Sequence, residues 1–286
     1  MISDRSKLEN PYEDHLATII DYRDLTSDTR YYKLKFVDPE IQKHTGDYRP
    51  GQFAMFSIPG VGEAPFSISS TPTRPAFLEF GIRKVGSFTD TLFKKKEGDT
   101  VYIRGPYGNG FDMVSMEGKD IVIVSGGLGA VPLRSVLLYL EDKRELYNNI
   151  FFLNGARTPD DMLFKEDFLA MHAREIIETH LTVDKDPTGE WKHNVGVVTT
   201  LFEKINGRVD KDNAYALICG PPVMYEFVIK ELLKMEFSKK NILMTLERRM
   251  KCGQGHCGHC AIHGVYTCLD GPVFNFWDYE RMVELI

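Results

Sequence analysis

The stretch Asp120-Ile-Val-Ile-Val-Ser-Gly-Gly-Leu-Gly-Ala-Val-Pro132 decides the fold of the C-terminal half of this chain. Its continuous apolar run is typical of a strand that is buried on both faces of a parallel sheet. Apolar side chains after the glycines recur on one face, which indicates a helix, and Pro132 suits its first turn. A glycine-rich turn between a strand and a helix predicts a pyrophosphate site, because bare amides at a helix N-terminus bind anions. The candidate ligands are Gly126, Gly127 and Gly129; the alternative is a tight turn without a ligand.

Strands and helices alternate from this stretch to residue 246, which predicts right-handed crossovers and a parallel sheet. Further strands are expected at 150–153, 175–181, 215–219 and 241–246, and helices at 164–172, 198–205 and 222–235. The segment Cys219-Gly220-Pro221 follows one of these strands. Open α/β sheets bind ligands at the carboxyl ends of their strands, so this segment is a second candidate for cofactor binding.

Short, partly alternating strands rich in aromatic and β-branched residues dominate the part of the chain before residue 113. The clearest are residues 17–22, 31–36, 52–58 and 78–83, and one short helix is expected near 87–94. Many short strands separated by turn signals favour a closed antiparallel barrel. We therefore expect a β-barrel domain at 1–115, an α/β nucleotide-binding domain at 116–246 and a cysteine-rich tail at 247–286.

Two weaker signals lie in the barrel half. Residues 64–70 form a strand whose hydroxyl groups at Ser67 and Ser69 are expected on one face, opposite Phe66. The second signal, Gly86-Ser87-Phe88-Thr89, is a turn leading into a short helix, which is again an anion-binding shape. Taken alone, these segments are equally compatible with an ordinary barrel strand and an ordinary helix N-cap.

Four of the five cysteines lie near the C-terminus, at Cys252, Cys257, Cys260 and Cys268. The spacing C-x4-C-x2-C followed by a more distant cysteine is typical of plant-type [2Fe-2S] ligation. Interleaved glycines at 253, 255 and 258 let the loop take positive φ and approach the sulfur atoms closely. The alternatives are a structural zinc site, which also takes four cysteines, typically through C-x2-4-C knuckles, and inert thiols. The C-x4-C-x2-C run with its three interleaved glycines fits a cluster loop better.

The composition limits the remaining possibilities. The chain has 286 residues, which suits two domains rather than one core. A formal net charge of -6 without a basic run argues against a nucleic acid partner. No apolar run is long enough to span a membrane, and residues 1–14 lack the apolar core of a signal peptide. Clustered thiols without a disulfide pattern then favour metal ligands and a cytoplasmic location.

In this order, barrel, nucleotide domain and cysteine tail resemble the ferredoxin–NADP reductase superfamily. The resemblance implies that FAD binds a strand with the pattern R-x-Y/F-S-x-x-S, matched here by Pro65, Phe66, Ser67, Ile68, Ser69 and Ser70. Ala64 replaces the leading arginine of that pattern, and Arg83 is the candidate for the missing charge. The resemblance also implies flavin pyrophosphate binding by Gly86, Ser87 and Thr89. Nicotinamide nucleotide binding is implied for Gly126, Gly127 and Gly129, with Cys219, Gly220 and Pro221 beside the nicotinamide.

A narrower resemblance lies in residues 246–253, 257–260 and 268–274, which look like the gamma subunit of sulfhydrogenases. The B subunit of anaerobic sulfite reductase and the electron-transfer subunit of dihydroorotate dehydrogenase are similar. These proteins work as subunits, so the resemblance implies catalytic and iron–sulfur partner subunits in a hetero-oligomeric redox complex.

The resemblance implies an electron-transfer subunit that uses NAD(H) or NADP(H), FAD and a [2Fe-2S] cluster. A flavin connects two-electron hydride chemistry to one-electron clusters, so no side chain is expected to act as an obligatory acid or base. Sulfhydrogenase, dihydroorotate dehydrogenase, anaerobic sulfite reductase and heterodisulfide reductase all stay open as the complex, as does a redox-sensing scaffold without turnover. Arg157 favours NADP(H), whereas Asp160 and Asp161 oppose it. The reductase of an oxygenase is disfavoured, because the tail is too short for a separate ferredoxin-like domain.

Overall fold

A computed structural model describes residues 10–283, and their side chains up to residue 280. Residues 10–24, 28–111 and 246–273 form a first compact unit, and residues 25–27, 112–245 and 274–283 form a second. The prediction that the N-terminus carries no signal peptide concerns residues that lie mostly outside this range. The expected division at 115 and 246 stays a prediction, and most of the cysteine tail groups with the barrel.

The first unit is built on an antiparallel sheet. Its elements before the tail are β1 (His15–Asp24), β2 (Thr29–Phe36), α1 (Pro39–Lys43), β3 (Phe53–Ile58), β4 (Gly62–Ser67), β5 (Leu78–Arg83), α2 (Ser87–Leu92) and β6 (Thr100–Tyr107). The six strands lie in the order β4-β3-β6-β1-β2-β5. The predicted antiparallel sheet is confirmed, but its two edges are joined by an isolated bridge from Ile68 to Phe80 instead of a continuous ladder.

Aromatic side chains fill the core of this sheet. Tyr32, Phe56 and Phe80 are completely buried. The rings of Phe56 and Phe80 meet edge to face with their centroids 4.7 Å apart. Such pairs add to the free energy gained by burial, which explains why aromatic residues mark these strands in the sequence.

The second unit contains a mainly parallel sheet covered by helices. Its elements are β7 (Asp120–Gly126), α3 (Ala130–Asp142), β8 (Ile150–Ala156), α4 (Lys165–Arg174), β9 (Glu178–Val183), β10 (Asn194–Val195), α5 (Phe202–Ile205), β11 (Ala214–Cys219), α6 (Pro222–Lys234) and β12 (Ile242–Thr245). The tail forms a separate hairpin in the first unit, β13 (Ala261–Ile262) and β14 (Val265–Tyr266), and then continues into β15 (Val273–Asn275) and α7 (Phe276–Val283).

The strand order of this sheet is β10-β9-β8-β7-β11-β12-β15. The order reverses between β7 and β11, and doubly wound sheets bind their ligands at such a switch point. The expected strand at 175–181 begins only at Glu178, because Glu175 takes a left-handed φ of 55° that ends α4. None of the helices in the described range 10–283 is both long and apolar enough to cross a membrane.

Candidate functional site

Two turns meet at the switch point of the parallel sheet. Strands β7 and β11 pair so that Ser125 lies opposite Cys219, which brings residues 126–129 beside residues 219–221. A Cβ atom added to Gly129 would lie 2.0 Å from the carbonyl oxygen of Cys219. The structure therefore brings together the two segments that the sequence analysis singled out in this half of the chain.

The glycines of these turns have different tasks. A Cβ atom on Gly126 would lie 2.7 Å from the sulfur of Met224, and one on Gly220 would lie 2.3 Å from its methyl carbon. These two glycines are needed so that the turns can pack against α6. Gly127 has a φ of +53° and no neighbouring atom within 4 Å of a Cβ position. Its backbone is the part of the turn that is open to a ligand.

Cys219 is almost fully buried, with 4% of its surface exposed. The hydroxyl of Thr245 donates a hydrogen bond to its Sγ at 2.7 Å. The hydroxyl of Tyr225 donates to the carbonyl oxygen of Thr245 at 2.6 Å and accepts from the amide of Gly220 at 3.4 Å. Tyr225 and Thr245 therefore fix the Cys219–Gly220 turn, although the sequence analysis assigned them no role.

Arg157 follows β8 directly and is exposed, as are Asp160 and Asp161. The hydroxyl of Thr158 donates to the Asp161 carboxylate at 2.8 Å. The Asp161 carboxylate therefore already accepts a hydrogen bond within its own turn. The choice between NAD and NADP stays a prediction.

The candidate flavin strand is β4 with the residues that follow it. Pro65 lies opposite Met55 and Ser67 opposite Phe53 on β3. The expected alternation stops at Ser67: that residue is half-buried, whereas Ser69 is completely buried. The reason is that β4 ends at Ser67 and the next residue, Ile68, crosses to β5 through its bridge to Phe80.

Phe66 packs inside the sheet, with its ring centroid 5.1 Å from Phe56 and 6.0 Å from Phe88 of α2. Thr89 builds the turn before α2: its hydroxyl accepts from the amides of Val85 and Gly86 at 2.9 and 3.0 Å. The hydroxyl in turn donates to the carbonyl oxygen of Gly86 at 2.9 Å. The Gly86 turn is therefore held by a side chain of its own helix.

Arg83 ends β5 just before this turn, and Ser87 is exposed within it. The Nε of Arg83 donates to Asp28 at 2.8 Å, and both side chains are 46% exposed. Part of the Arg83 charge is thus offset by Asp28, in a place where water screens both groups. Its proposed contact with a flavin pyrophosphate stays a prediction.

The four tail cysteines lie as two pairs. The sulfur atoms of Cys260 and Cys268 are 3.3 Å apart. Cys252 and Cys257 form the second pair through a side-chain hydrogen bond. Within residues 10–283, no three His, Cys, Asp or Glu side chains form a group that could hold one metal ion. Two pairs of thiols suit a cluster with two iron atoms, in which each iron takes two protein ligands.

Backbone amides of the loop point at these sulfur atoms. The amide of Gln254 donates to Cys252 Sγ at 3.3 Å, and the amide of Gly255 donates to Cys268 Sγ at 3.1 Å. The loop glycines all take left-handed φ values, with Gly253 at 72°, Gly255 at 73° and Gly258 at 75°. The four thiols and the donors aimed at them therefore fit an iron–sulfur cluster, whose sulfur atoms accept such hydrogen bonds.

The thiols differ in acidity. The amide of His259 lowers the pKa of the exposed Cys257 thiol below its ordinary value. Burial raises the pKa of Cys268 to about 12, and the hydrogen bond with Cys260 adds to this effect. Because metal ligation needs thiolates, the lowered pKa of Cys257 favours ligation, whereas a metal at Cys268 must displace a proton that burial holds on the thiol.

The cysteine loop packs onto the antiparallel sheet. Phe53 and Met55 of β3 and Tyr107 of β6 form a buried cluster with Cys260 and Cys268. The side chain of Asn109 donates to the carbonyl oxygens of Asp270 and Val273 at 3.0 and 2.7 Å. This clamp was not predicted, because Asn109 and its partners in the tail lie 161 and 164 positions apart in the sequence.

Models of three protein families match consecutive parts of the chain. An oxidoreductase FAD-binding domain matches residues 16–111, and an oxidoreductase NAD-binding domain matches residues 123–230. The iron–sulfur cluster binding domain of dihydroorotate dehydrogenase B matches residues 247–279, which favours a cluster over the zinc alternative. Fold and site define an FAD- and NAD-binding oxidoreductase of the ferredoxin reductase type with an iron–sulfur domain.

Curated relatives match most of the chain. The chain is 43% identical over 284 residues to the sulfhydrogenase 2 gamma subunit of Pyrococcus furiosus, covering 94% of this chain and 97% of the relative. It is 38% identical over 229 residues to a probable dihydroorotate dehydrogenase B electron-transfer subunit of the same organism, with 80% of each chain covered. The chain belongs to the family that contains these gamma and electron-transfer subunits.

The solved structures agree on the fold. An NADH-dependent reduced ferredoxin–NADP oxidoreductase aligns with a TM-score of 0.74 and 25% identity, covering 93% of this chain and 91% of the other. The ferredoxin reductase of carbazole 1,9a-dioxygenase has a TM-score of 0.67 and 20% identity, with 81% and 68% covered. The resemblance inferred from the motifs is confirmed, and so are the fold class and the FAD, NAD and iron–sulfur domains.

Proposed function

We propose that this chain is the electron-transfer subunit of a hetero-oligomeric oxidoreductase. In this proposal, electrons pass between NAD(H) or NADP(H), FAD and a [2Fe-2S] cluster, and a catalytic partner subunit supplies or receives them. A cytoplasmic location is part of the proposal, and five cysteines outside any disulfide support it.

The observation that carries the proposal is the position of β3 in the first unit. Met55 pairs with Pro65 of the candidate flavin strand on one side and with Arg104 of β6 on the other. The same Met55 belongs to the buried cluster that contains Cys260 and Cys268. Neighbouring strands lie about 4.8 Å apart, so one strand separates the candidate flavin strand from β6, which contacts the cysteine loop.

When bound, the flavin would accept a hydride and release single electrons, and the cluster would carry one electron at a time. The chain holds and orients these groups. We assign the nucleotide pyrophosphate to the open backbone at Gly127 and the flavin pyrophosphate to the turn built by Thr89. Each cysteine pair would hold one iron atom, and buried Phe53 and Tyr107 would keep water away from one side of the cluster.

None of these steps requires a side chain that transfers a proton. The hydroxyls beside the turns are already engaged: Thr89 with the backbone before α2, and Thr245 with Cys219. Cys219 would therefore contact the nicotinamide through its position rather than as a nucleophile.

For the partner, we favour a sulfhydrogenase-type catalytic subunit together with an iron–sulfur subunit. The support is the higher identity and coverage of the sulfhydrogenase gamma relatives, 42% to 43% against 38%. Dihydroorotate dehydrogenase B is the second candidate, because the iron–sulfur domain model that matches the tail carries its name. Purification of the native complex and identification of its other subunits would distinguish the two.

The test of the electron path uses anaerobically purified full-length protein. We expect iron and inorganic sulfide in equal amounts, bound FAD, and a rhombic [2Fe-2S] EPR signal after dithionite reduction. Cys257→Ser should abolish the EPR signal and leave FAD bound, whereas Cys219→Ser, the matched control, should keep both. Mixing with NADH and with NADPH should bleach the flavin quickly with one of them and identify the nucleotide.

Other results would contradict the proposal. If the protein contained zinc and no iron, it would have no cluster to pass electrons to a partner. If Cys257→Ser lost FAD together with the EPR signal, the tail would have a structural role. Slow bleaching with both nucleotides would favour the redox-sensing scaffold.

A further inference from the structure

Arg104 is a buried cation that contacts the cysteine loop. It lies on β6 and is only 4% exposed. One terminal nitrogen donates to the carbonyl oxygen of the ligand Cys252 at 2.9 Å and to the hydroxyl of Tyr107 at 3.0 Å. Burying an arginine is costly unless its charge is paired and its donors are satisfied, so this placement needs an explanation.

The acidic partners of Arg104 are more exposed to water than its guanidinium group. Its other terminal nitrogen donates to Glu63 at 2.6 Å, and its Nε lies 3.7 Å from Asp14. These two carboxylates are 38% and 34% exposed. Water screens the acidic end of the pair far better than the buried guanidinium, so the positive end dominates at the Cys252 side.

We propose that Arg104 is a positioning residue that anchors the cysteine loop to β6 and raises the reduction potential of the cluster. This inference rests on the [2Fe-2S] site of the proposed function. Reduction adds one electron to the cluster; no bond is broken and no proton moves. The reduced cluster is more negative by one charge, and a fixed positive charge beside it stabilises that state, since net charge is a main determinant of cluster potentials.

Because Arg104 and Glu63 carry opposite charges, removing one or the other should shift the midpoint potential of the cluster in opposite directions. Arg104→Gln removes the buried cation and keeps a hydrogen-bond donor, so the midpoint potential should fall. Glu63→Gln removes the offsetting anion and leaves the cation, so the potential should rise. We expect at least a tenfold change of the one-electron equilibrium constant for Arg104→Gln, which is about 59 mV. Arg104→Lys keeps the charge and should stay near the wild-type value.

The measurement is a redox titration of the full-length protein followed by EPR. Arg30→Gln is the matched control: Arg30 donates to Asp24 at 2.6 Å and to the carbonyl oxygen of Phe93, in the same sheet. The substitution of Arg30 should leave the midpoint potential of the cluster unchanged. Iron content is measured in parallel, so a chain without a cluster would count against the proposed function and not against the role of Arg104.

Opposite shifts in Arg104→Gln and Glu63→Gln support the inference. Shifts of the same sign, or an unchanged potential in both, would overturn it, because a purely structural contact has no preferred sign. If Arg104→Gln does not retain its iron, the other two variants test the inference. The inference then fails unless Glu63→Gln raises the midpoint potential and Arg104→Lys leaves it unchanged.

Discussion

At the scale of single residues, Gly129 illustrates how closely the two nucleotide turns approach. A Cβ atom at this position would meet the backbone of Cys219 and Gly220, with contacts of 2.0 Å to an oxygen and 2.7 Å to a nitrogen. Backbone atoms cannot rotate away as a side chain can. The turn at residues 126–129 therefore keeps its shape only while residue 129 is glycine.

We expect Gly129→Ala to lower the free energy of unfolding by about 1–3 kcal/mol, the usual cost of overpacking, and to weaken nucleotide binding. Chemical denaturation and titration with NADH or NADPH would measure the two effects. Gly207→Ala is the control: it introduces a left-handed alanine at φ 73° without any neighbour within 4 Å. It should cost about 1–2 kcal/mol and leave nucleotide affinity unchanged. Wild-type affinity in Gly129→Ala would contradict this account.

The residues that could be predicted from sequence are those whose signal is local. The cysteine spacing and the loop glycines carry their signal within a few positions, and Gly253, Gly255 and Gly258 take the positive φ values that were expected. Arg104 could not be predicted, because its contact to Cys252 joins residues 148 positions apart. Asn109 reaches the tail across a similar separation of 164 positions. Neither Arg104 nor Asn109 belongs to a periodic sequence pattern, so their contacts with the tail become visible only in the folded structure.

At the scale of elements, α2 depends on one hydroxyl. Thr89 satisfies the amides of Val85 and Gly86, which would otherwise lack a partner at the start of the helix. Thr91, on the same short helix, donates only to the carbonyl oxygen of Ser87 at 3.0 Å. The two threonines form a natural pair for comparison.

Thr89→Ala should cost about 1–2 kcal/mol, as the loss of a helix cap does, and weaken FAD binding roughly tenfold for each 1.4 kcal/mol. Thr89→Ser keeps the hydroxyl and should restore binding. Thr91→Ala should leave it unchanged. Flavin fluorescence during dilution would measure the three affinities, and equal effects of Thr89→Ala and Thr91→Ala would argue against a flavin turn at this place.

The elements that were missed have weak sequence signals for physical reasons. Strand β6 contains Gly105-Pro106, a pair that is typical of turns, so no strand was expected there. Strands β10, β13 and β14 have two residues each, too few for any periodicity. Closure of the barrel was expected from the number of strands, but the sheet is not closed by a continuous ladder, and its edges meet at the isolated bridge from Ile68 to Phe80.

At the scale of the whole molecule, the cysteine tail belongs to the unit of the antiparallel sheet. Residues 246–273 group with residues 10–24 and 28–111, although residues 112–245 separate them in the sequence. The tail contributes Met250, Cys260 and Cys268 to the buried cluster on β3 and β6. We therefore expect the stability of this unit to depend on metal binding, as in other proteins whose ligands organise a core.

Removal of iron by an anaerobic chelator should therefore loosen the first unit selectively. We expect amide hydrogen exchange in β3 and β6 to become at least tenfold faster, while exchange in β7 and β11 stays the same. Hydrogen exchange followed by mass spectrometry would resolve these segments. Cys219→Ser provides the control, since it should exchange like the wild type with its iron in place. Equal acceleration in both units would mean that the cluster supports the chain as a whole.

The interrupted layout of the first unit has a consequence for biosynthesis. The ribosome makes the sheet early, then about 130 residues of the second unit, and only then the thiols that complete the first. At 5–20 residues per second this interval lasts roughly 7–27 s, long enough for the nucleotide-binding fold to form on its own. Phe53, Met55 and Tyr107 stay uncovered by residues 246–273 throughout this interval, so we expect the first unit to complete its buried cluster only after the second unit has been made.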